Sequence, residues 1–180
     1  IEAKLISHHE HNLHVAIPKL LSLLEEGESV ALVSDAGYPA ISDPGYEMVL
    51  ATIDAGYNVV PLSGCNACLD ALVVSGIAPQ PFMFYGFLSH TNKNKTKELE
   101  KLTYTIVFYE APHRIKATLE CMMKVLGDRR IALCREITKK HEEILRGTIS
   151  EVLEVVDELK GEMVIVVEGG TEVTEEETFD

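Results

Sequence analysis

The stretch Val30–Gly64, VALVSDAGYPAISDPGYEMVLATIDAGYNVVPLSG, constrains the fold more than any other part of the chain. It opens with an apolar run, Val30 to Val33, of a length suited to a strand buried on both faces of a parallel sheet. The run stops at Ser34-Asp35, and a loop of Gly, Pro, Ser and Asp follows. Asp43 then reads as a helix N-cap with Pro44 at the first helical position, and the helix runs to about Ala55. Gly56 supplies the stop, and Asn58 to Pro61 reads as the next strand. Ligands in open α/β sheets bind beyond the carboxyl ends of strands, so a long loop at that place points to a site.

The same alternation runs through the rest of the chain. IEAKLIS reads as a strand already under way, and Val15, Ile17, Leu20, Leu21, Leu23 and Leu24 mark a helical face ending at Gly27. Asn66 to Ser75 is expected as a helix closed by Gly76, and IAPQP, with two prolines in five residues, as a linker. Beyond it come strands at 82–85, 105–109, 130–134 and 163–167, with helices at 94–102 and from Pro112 to Leu126. A polar, hairpin-like stretch leads to Arg146, and Thr148 with Glu151 makes a capping box for a last helix. The expectation is α/β: one domain over 1–80, a second over 81–170, and an acidic tail at 171–180 outside the packed fold. Three candidate strands leave the first half short of the usual four to six, so on physical grounds it looks incomplete.

Composition narrows the chemistry. With 180 residues and 46% apolar content, the chain can bury a core. No apolar run reaches membrane-spanning length, and four scattered cysteines form no disulfide framework, so a cytoplasmic location is expected. A net charge of −13 argues against a general nucleic-acid binder, although a local basic patch could still meet RNA. His8, His9, His11 and His14 match no metal-site spacing, and the C-x-x-C at Cys65 and Cys68 lacks a second pair, so no metal is expected. Neither a G-x-G-x-x-G after a strand nor a P-loop is present.

Two polar motifs are more informative. In FYEAPHR a buried strand ends at Glu110, and Pro112 starts a helix with His113 and Arg114 in its first turn. Positive charge is unfavourable there, which favours a ligand-facing role over a simple ion pair with Glu110. REITKKHEEILRG places Arg135, Lys139, Lys140, His141 and Arg146 among Glu136, Glu142 and Glu143. Its competing reading is a solvated charged hairpin.

In this order and spacing, VSDAGYPAISDPG, the PLSGCNA turn, FYEAPHR and TKKHEEILRG resemble the bacterial ribosomal RNA small subunit methyltransferase I family. That family belongs to the tetrapyrrole (corrin/porphyrin) methylase superfamily, and the resemblance covers Leu5 to Glu168. It implies two α/β/α domains with S-adenosylmethionine in the cleft between them, and a homodimer. The implied reaction is 2′-O-methylation of a cytidine ribose in 16S rRNA of the small ribosomal subunit.

By the same resemblance the cofactor lies against Asp35, Gly37, Tyr38, Ile41 and Ser42 in the first loop, Asn66 and Ala67 after the next strand, and Tyr109. Glu110 and His113 become the candidates for a general base, since a ribose hydroxyl is a poor nucleophile. Arg114, Arg135 and Lys139 are implied to meet RNA phosphate. The chain departs from the family in lacking its opening strand, Gly-Asn turn, first helix and second strand, so weaker cofactor binding than in a chain carrying them is expected. It also has Ser63 and Cys65 where relatives carry Pro and a smaller residue, and no C-terminal extension. Two alternatives stand beside this reading: a methyltransferase of the same fold acting on a tetrapyrrole or other small molecule, and a non-catalytic binding module.

Overall fold

The computed structural model describes residues 4–100 and 103–170, so the expected acidic tail lies outside the described residues, as does the end of the helix expected over 94–102. Two compact units emerge, Ile1–Asn66 and Ala67–Asp180.

The second unit is built on a five-stranded sheet of order β1-β2-β5-β3-β4, with strands β1 (Phe82–Phe87), β2 (Thr105–Glu110), β3 (Arg130–Arg135), β4 (Glu143–Thr148) and β5 (Met163–Val167). β1 and β2 run parallel, whereas β5 is antiparallel to both β2 and β3, and β3 is antiparallel to β4. Side chains alternate along each central strand, as the pleat requires. Ile106, Phe108, Ile131, Leu133 and Ile165 enter a core on one face, under Leu99 of α4 (Asn92–Leu99), Leu119 and Met122 of α5 (Ile115–Leu126) and Ile149 of α6 (Ile149–Leu153). Val107, Ala132, Cys134, Val164 and Val166 enter a second core on the other, under helix Ala67–Ser75. That is an α/β/α layering.

The division between units lies before the helix Ala67–Ser75 and not near residue 80, because that helix buries Cys68, Ala71 and Leu72 on a face of the second unit's sheet. The expected domain 1–80 assigned this helix to the first half. Other boundaries also differ. Helix α5 begins at Ile115 and not at Pro112, since the Arg114 N–H bonds back to the Ala111 carbonyl at 2.9 Å and closes a turn first. His113 and Arg114 therefore precede the helix. The polar stretch to Arg146 is the β3–β4 hairpin, and β1 extends to Phe87. Helix α6 starts with the expected capping box, Thr148 and Glu151 each bonding the other's backbone.

The first unit carries α1 (Leu13–Glu25) and α2 (Tyr46–Asp54), and Ala67–Ser75 is α3 in chain order. Ala16 and Leu20 of α1 pack with Met48 of α2, and Ile17 and Leu24 close the edge. Helix α2 does not begin at Pro44 with Asp43 as cap. Ser42 at φ 58° and Gly45 at φ 147° take the backbone off the helical path, so the helix begins after Gly45. Its end agrees with the sequence, with Tyr57 N–H on the Thr52 carbonyl and Gly56 N–H on that of Ile53. The strands expected at 1–7 (described from residue 4), 30–33 and 58–61 are not formed among the described residues. A strand is a hydrogen-bonded pairing, and none of the three runs has a partner there; Val33 stays 75% and Val60 74% exposed.

Candidate active site

In the first unit the loop from Ser34 to Pro44 is tightly wound. Gly37 sits at φ 76°, and Ala40 and Ser42 are left-handed at φ 67° and 58°. Left-handed non-glycine residues each cost on the order of 1 kcal/mol and tend to cluster at functional sites. The Ser34 hydroxyl lies 3.3 Å from both the Ala36 and Gly37 carbonyl oxygens, holding the turn closed. A Cβ built on Gly45 would come 2.9 Å from Leu32 Cδ2, so glycine is required there by packing as well as by φ. A Cβ built on Gly37 would meet, among the described residues, only the Cys65 carbonyl oxygen, at 4.0 Å, so its glycine answers to backbone conformation. The same 4.0 Å approach sets the PLSGCNA turn beside the loop, with Asn66 next in the chain. Asp35, Gly37, Ile41 and Ser42 are exposed and Tyr38 half-buried.

In the second unit the parallel ends of β1 and β2 carry the site candidates. Phe87 aligns with Tyr109 across the ladder, after a bulge between Phe84 and Gly86. Without that extra residue, Phe84 and Phe87 would face opposite sides of the sheet. With it, both pack edge-on against Tyr109, at 4.9 and 5.7 Å between ring centroids. Phe87 remains 53% exposed, so the cluster has an open rim. Ala67, at the start of α3, packs on the same sheet face as Tyr109 and Phe84. The two phenylalanines were not among the sequence candidates; the signal was FMFYGF, whose glycine breaks an aromatic alternation.

Glu110 is 3% exposed and fully engaged. One oxygen accepts from the Ala111 N–H at 2.9 Å and lies 3.3 Å from Arg114 Nε; the other accepts from the Thr118 hydroxyl at 2.6 Å. Thr118 in turn accepts from the buried Lys95 ammonium at 2.9 Å. Arg114 donates onward to the carbonyls of Leu88 and Ser89 at 2.9 and 3.2 Å. This buried chain ties α4, α5 and the loop after β1 together. It also differs from the sequence expectation, because both Glu110 oxygens are already engaged and Arg114 is turned inward. His113 is exposed in the turn.

Arg135 and Lys139 are likewise paired. Arg135 donates to Glu143 at 3.0 Å and to the Lys160 carbonyl at 3.2 Å. Lys139 bridges Glu162 at 2.8 Å and Glu136 at 3.3 Å, and the bond to Glu162 leads in raising its pKa. Glu136 is held below the usual carboxylate range, first by the Glu162 N–H. The histidine-rich start has a structural use: His9 Nδ1 accepts from the His11 N–H and caps a short 3-10 turn. Among the described residues no three His, Cys, Asp or Glu side chains gather as a metal site, and no helix is long and apolar enough to cross a membrane.

The family model of the Tetrapyrrole (Corrin/Porphyrin) Methylases matches residues 4–153. The chain belongs to this family. Among tetrapyrrole methylases, it is 55% identical over 99% of its length to the Ribosomal RNA small subunit methyltransferase I of Bacillus subtilis, covering 64% of that protein. It is 44% identical over 92% of its length to the protein of that name from Synechocystis, covering 62%. The chain thus spans a little under two thirds of the curated relatives it matches. Among solved structures it resembles the methyltransferase CobJ, with a TM-score of 0.67 and 19% identity, over 90% of this chain and 72% of that one. It also resembles the uroporphyrin-III C-methyl transferase of Thermus thermophilus complexed with S-adenyl homocysteine, with a TM-score of 0.59 and 17% identity over 88% and 73% of the two chains. Those likenesses establish the tetrapyrrole methylase fold.

Proposed function

We propose that this protein is an S-adenosylmethionine-dependent RNA methyltransferase that methylates the 2′-hydroxyl of a cytidine ribose in 16S rRNA on the small ribosomal subunit. The observation that carries the reading is the 55% identity, along 99% of this chain, with the Ribosomal RNA small subunit methyltransferase I of Bacillus subtilis. The reading also takes the protein to be cytoplasmic and a homodimer.

The residues present suit such a cofactor. Gly37 leaves open space above a loop whose amides and carbonyls can meet a zwitterionic amino-acid end, and Ile41 gives an apolar contact. We assign cofactor contacts to Asp35, Gly37, Tyr38, Ile41, Ser42 and Asn66 in the first unit, and to Ala67 and Tyr109 in the second. Tyr109, flanked by two phenylalanines, offers an aromatic surface for an adenine.

When bound, S-adenosylmethionine supplies a methyl group made electrophilic by its sulfonium. A ribose hydroxyl accepting that methyl group would have to give up its proton. We assign acceptance of that proton to the His113 imidazole, exposed and placed directly after β2. Glu110 is assigned a positioning role, because each of its oxygens already accepts a hydrogen bond. In-line displacement depends chiefly on orientation, so holding the loop and the turn rigid is the protein's main contribution.

The test offers the protein labelled S-adenosylmethionine with either small ribosomal subunits or uroporphyrinogen III. Label in 16S rRNA alone is the expected result. Label in the tetrapyrrole alone would overturn the proposal in favour of small-molecule chemistry, and absence of cofactor binding by calorimetry would favour a non-catalytic module.

A further inference from the structure

The chain is acidic throughout, with one exception. Residues 71–97 contain no Asp or Glu, although the whole chain has 29. The basic end of that stretch is the segment SHTNKNKTK, which forms the loop after β1 and most of α4. Successive helical residues turn by about 100°, so Lys95 lies about 200° from both Lys93 and Lys97, which share the opposite side. The structure follows that geometry. Lys95 is 2% exposed and donates to Thr118, while Lys93 and Lys97 are exposed.

The carboxylate next to Lys97 in sequence, Glu98, is engaged elsewhere. Glu98 bonds the Ser89 hydroxyl and accepts the Ser89 N–H at 3.1 Å; these bonds outweigh burial and keep its pKa low. Among the described residues neither Lys93 nor Lys97 has an ion-pair partner, and Glu100 at the end of α4 makes none with Lys97. In contrast, Lys139 and Arg135 of the hairpin are already paired with Glu162, Glu136 and Glu143, and Lys140 lies in a segment that also carries Glu136, Glu142 and Glu143. His90, exposed and two residues before α4, has its Nδ1 3.2 Å from Arg114. With Arg114 donating, a neutral His90 ring carries its proton on Nε2, which can then act as a donor.

We propose that the outer face of α4, formed by Lys93 and Lys97 with His90, is the docking surface for the phosphodiester backbone of the RNA substrate. This rests on the reading of the protein as an RNA methyltransferase. A chain of net charge −13 repels RNA everywhere except at unpaired local cations, and this helix face concentrates them. Lysine meets phosphate as a point charge and positions a nucleic acid without reading its sequence. The buried Lys95–Thr118–Glu110 chain holds α4 to α5, so the two exposed lysines stand on an anchored helix.

The experiment compares the unmodified protein with Lys93→Ala/Lys97→Ala, measuring binding to small ribosomal subunits across a salt series. Loss of two phosphate contacts should reduce the slope of log affinity against log salt by about 1.4 for single-stranded RNA, with S-adenosylmethionine affinity unchanged. Lys93→Arg/Lys97→Arg should restore the slope, which separates charge from folding. If the unmodified protein methylates 16S rRNA and the alanine variant keeps its full slope, the docking surface is refuted and the RNA reading stands. If the unmodified protein binds subunits without salt dependence and methylates uroporphyrinogen III instead, the RNA reading falls and this surface with it.

Discussion

Thr118→Val is the most searching substitution in the second unit. The change keeps the side chain's shape and removes one hydroxyl from a fully buried position. That hydroxyl donates to Glu110 at 2.6 Å and accepts from Lys95 at 2.9 Å. Hydrogen bonds to charged groups contribute about 1.5–3 kcal/mol each. Glu110 keeps the Ala111 N–H and Arg114, so its loss falls at the low end; Lys95 is left with a buried ammonium and no hydroxyl. A destabilisation of about 3 kcal/mol follows, a large share of a total of about 5–15 kcal/mol. In a chain of this size that lowers Tm by about 6–12 °C, readable by circular dichroism or calorimetry. The double variant Lys95→Met/Thr118→Val should lose less than the sum of the single changes, by at least about 1 kcal/mol, because both partners are then removed together. A Tm drop under about 3 °C with additive single effects would refute the buried chain as the anchor of α4.

Other outcomes follow from the same structure. Gly37→Val should abolish S-adenosylmethionine binding by calorimetry at a cost of about 1–2 kcal/mol in stability, because φ 76° disfavours a β-branched residue although its Cβ meets nothing closer than 4.0 Å. Thr148→Ala should lower stability by about 1 kcal/mol through loss of the α6 cap, read as the shift in a urea midpoint. Burial pushes the Cys68 and Cys134 thiols up to about 11, so at pH 8 iodoacetamide should label exposed Cys65 first and those two only on unfolding, as peptide mass spectrometry would report. Those two thiols bind protons more tightly folded than unfolded, so their contribution to stability is intact below about pH 9 and lost as pH rises towards 11. Flat stability across that window would contradict it.

The parts legible in the sequence are those that short-range chemistry decides. The capping box at Thr148 and Glu151, the stop at Gly56 and the apolar run of β5 all rest on neighbours within a few residues. What the sequence hid depends on distant partners. Glu110 read as a candidate general base because Thr118, which bonds one of its oxygens, and Lys95, which donates to Thr118, come from two other elements. Arg114 looked outward-facing because its acceptors, Leu88 and Ser89, lie far back in the chain. The start of α2 was misplaced because a cap signal at Asp43 cannot show that Ser42 and Gly45 take positive φ. Val30–Val33 and Asn58–Pro61 have strand composition, but composition supplies no partner for the ladder. The aromatic site around Tyr109 needed the bulge at Phe84–Gly86, which moves Phe87 onto the same face.

The central claim, methyl transfer to a ribose oxygen of 16S rRNA, is tested most directly by nucleoside analysis of the product. Small ribosomal subunits lacking the modification are incubated with the protein and labelled S-adenosylmethionine, and the 16S rRNA is split in two portions. One is digested to nucleosides for mass spectrometry and the other hydrolysed in alkali. The account predicts labelled 2′-O-methylcytidine, together with label in an alkali-resistant dinucleotide, because a methylated 2′-oxygen cannot attack the neighbouring phosphate. Label on a base, in alkali-sensitive mononucleotides, would contradict it.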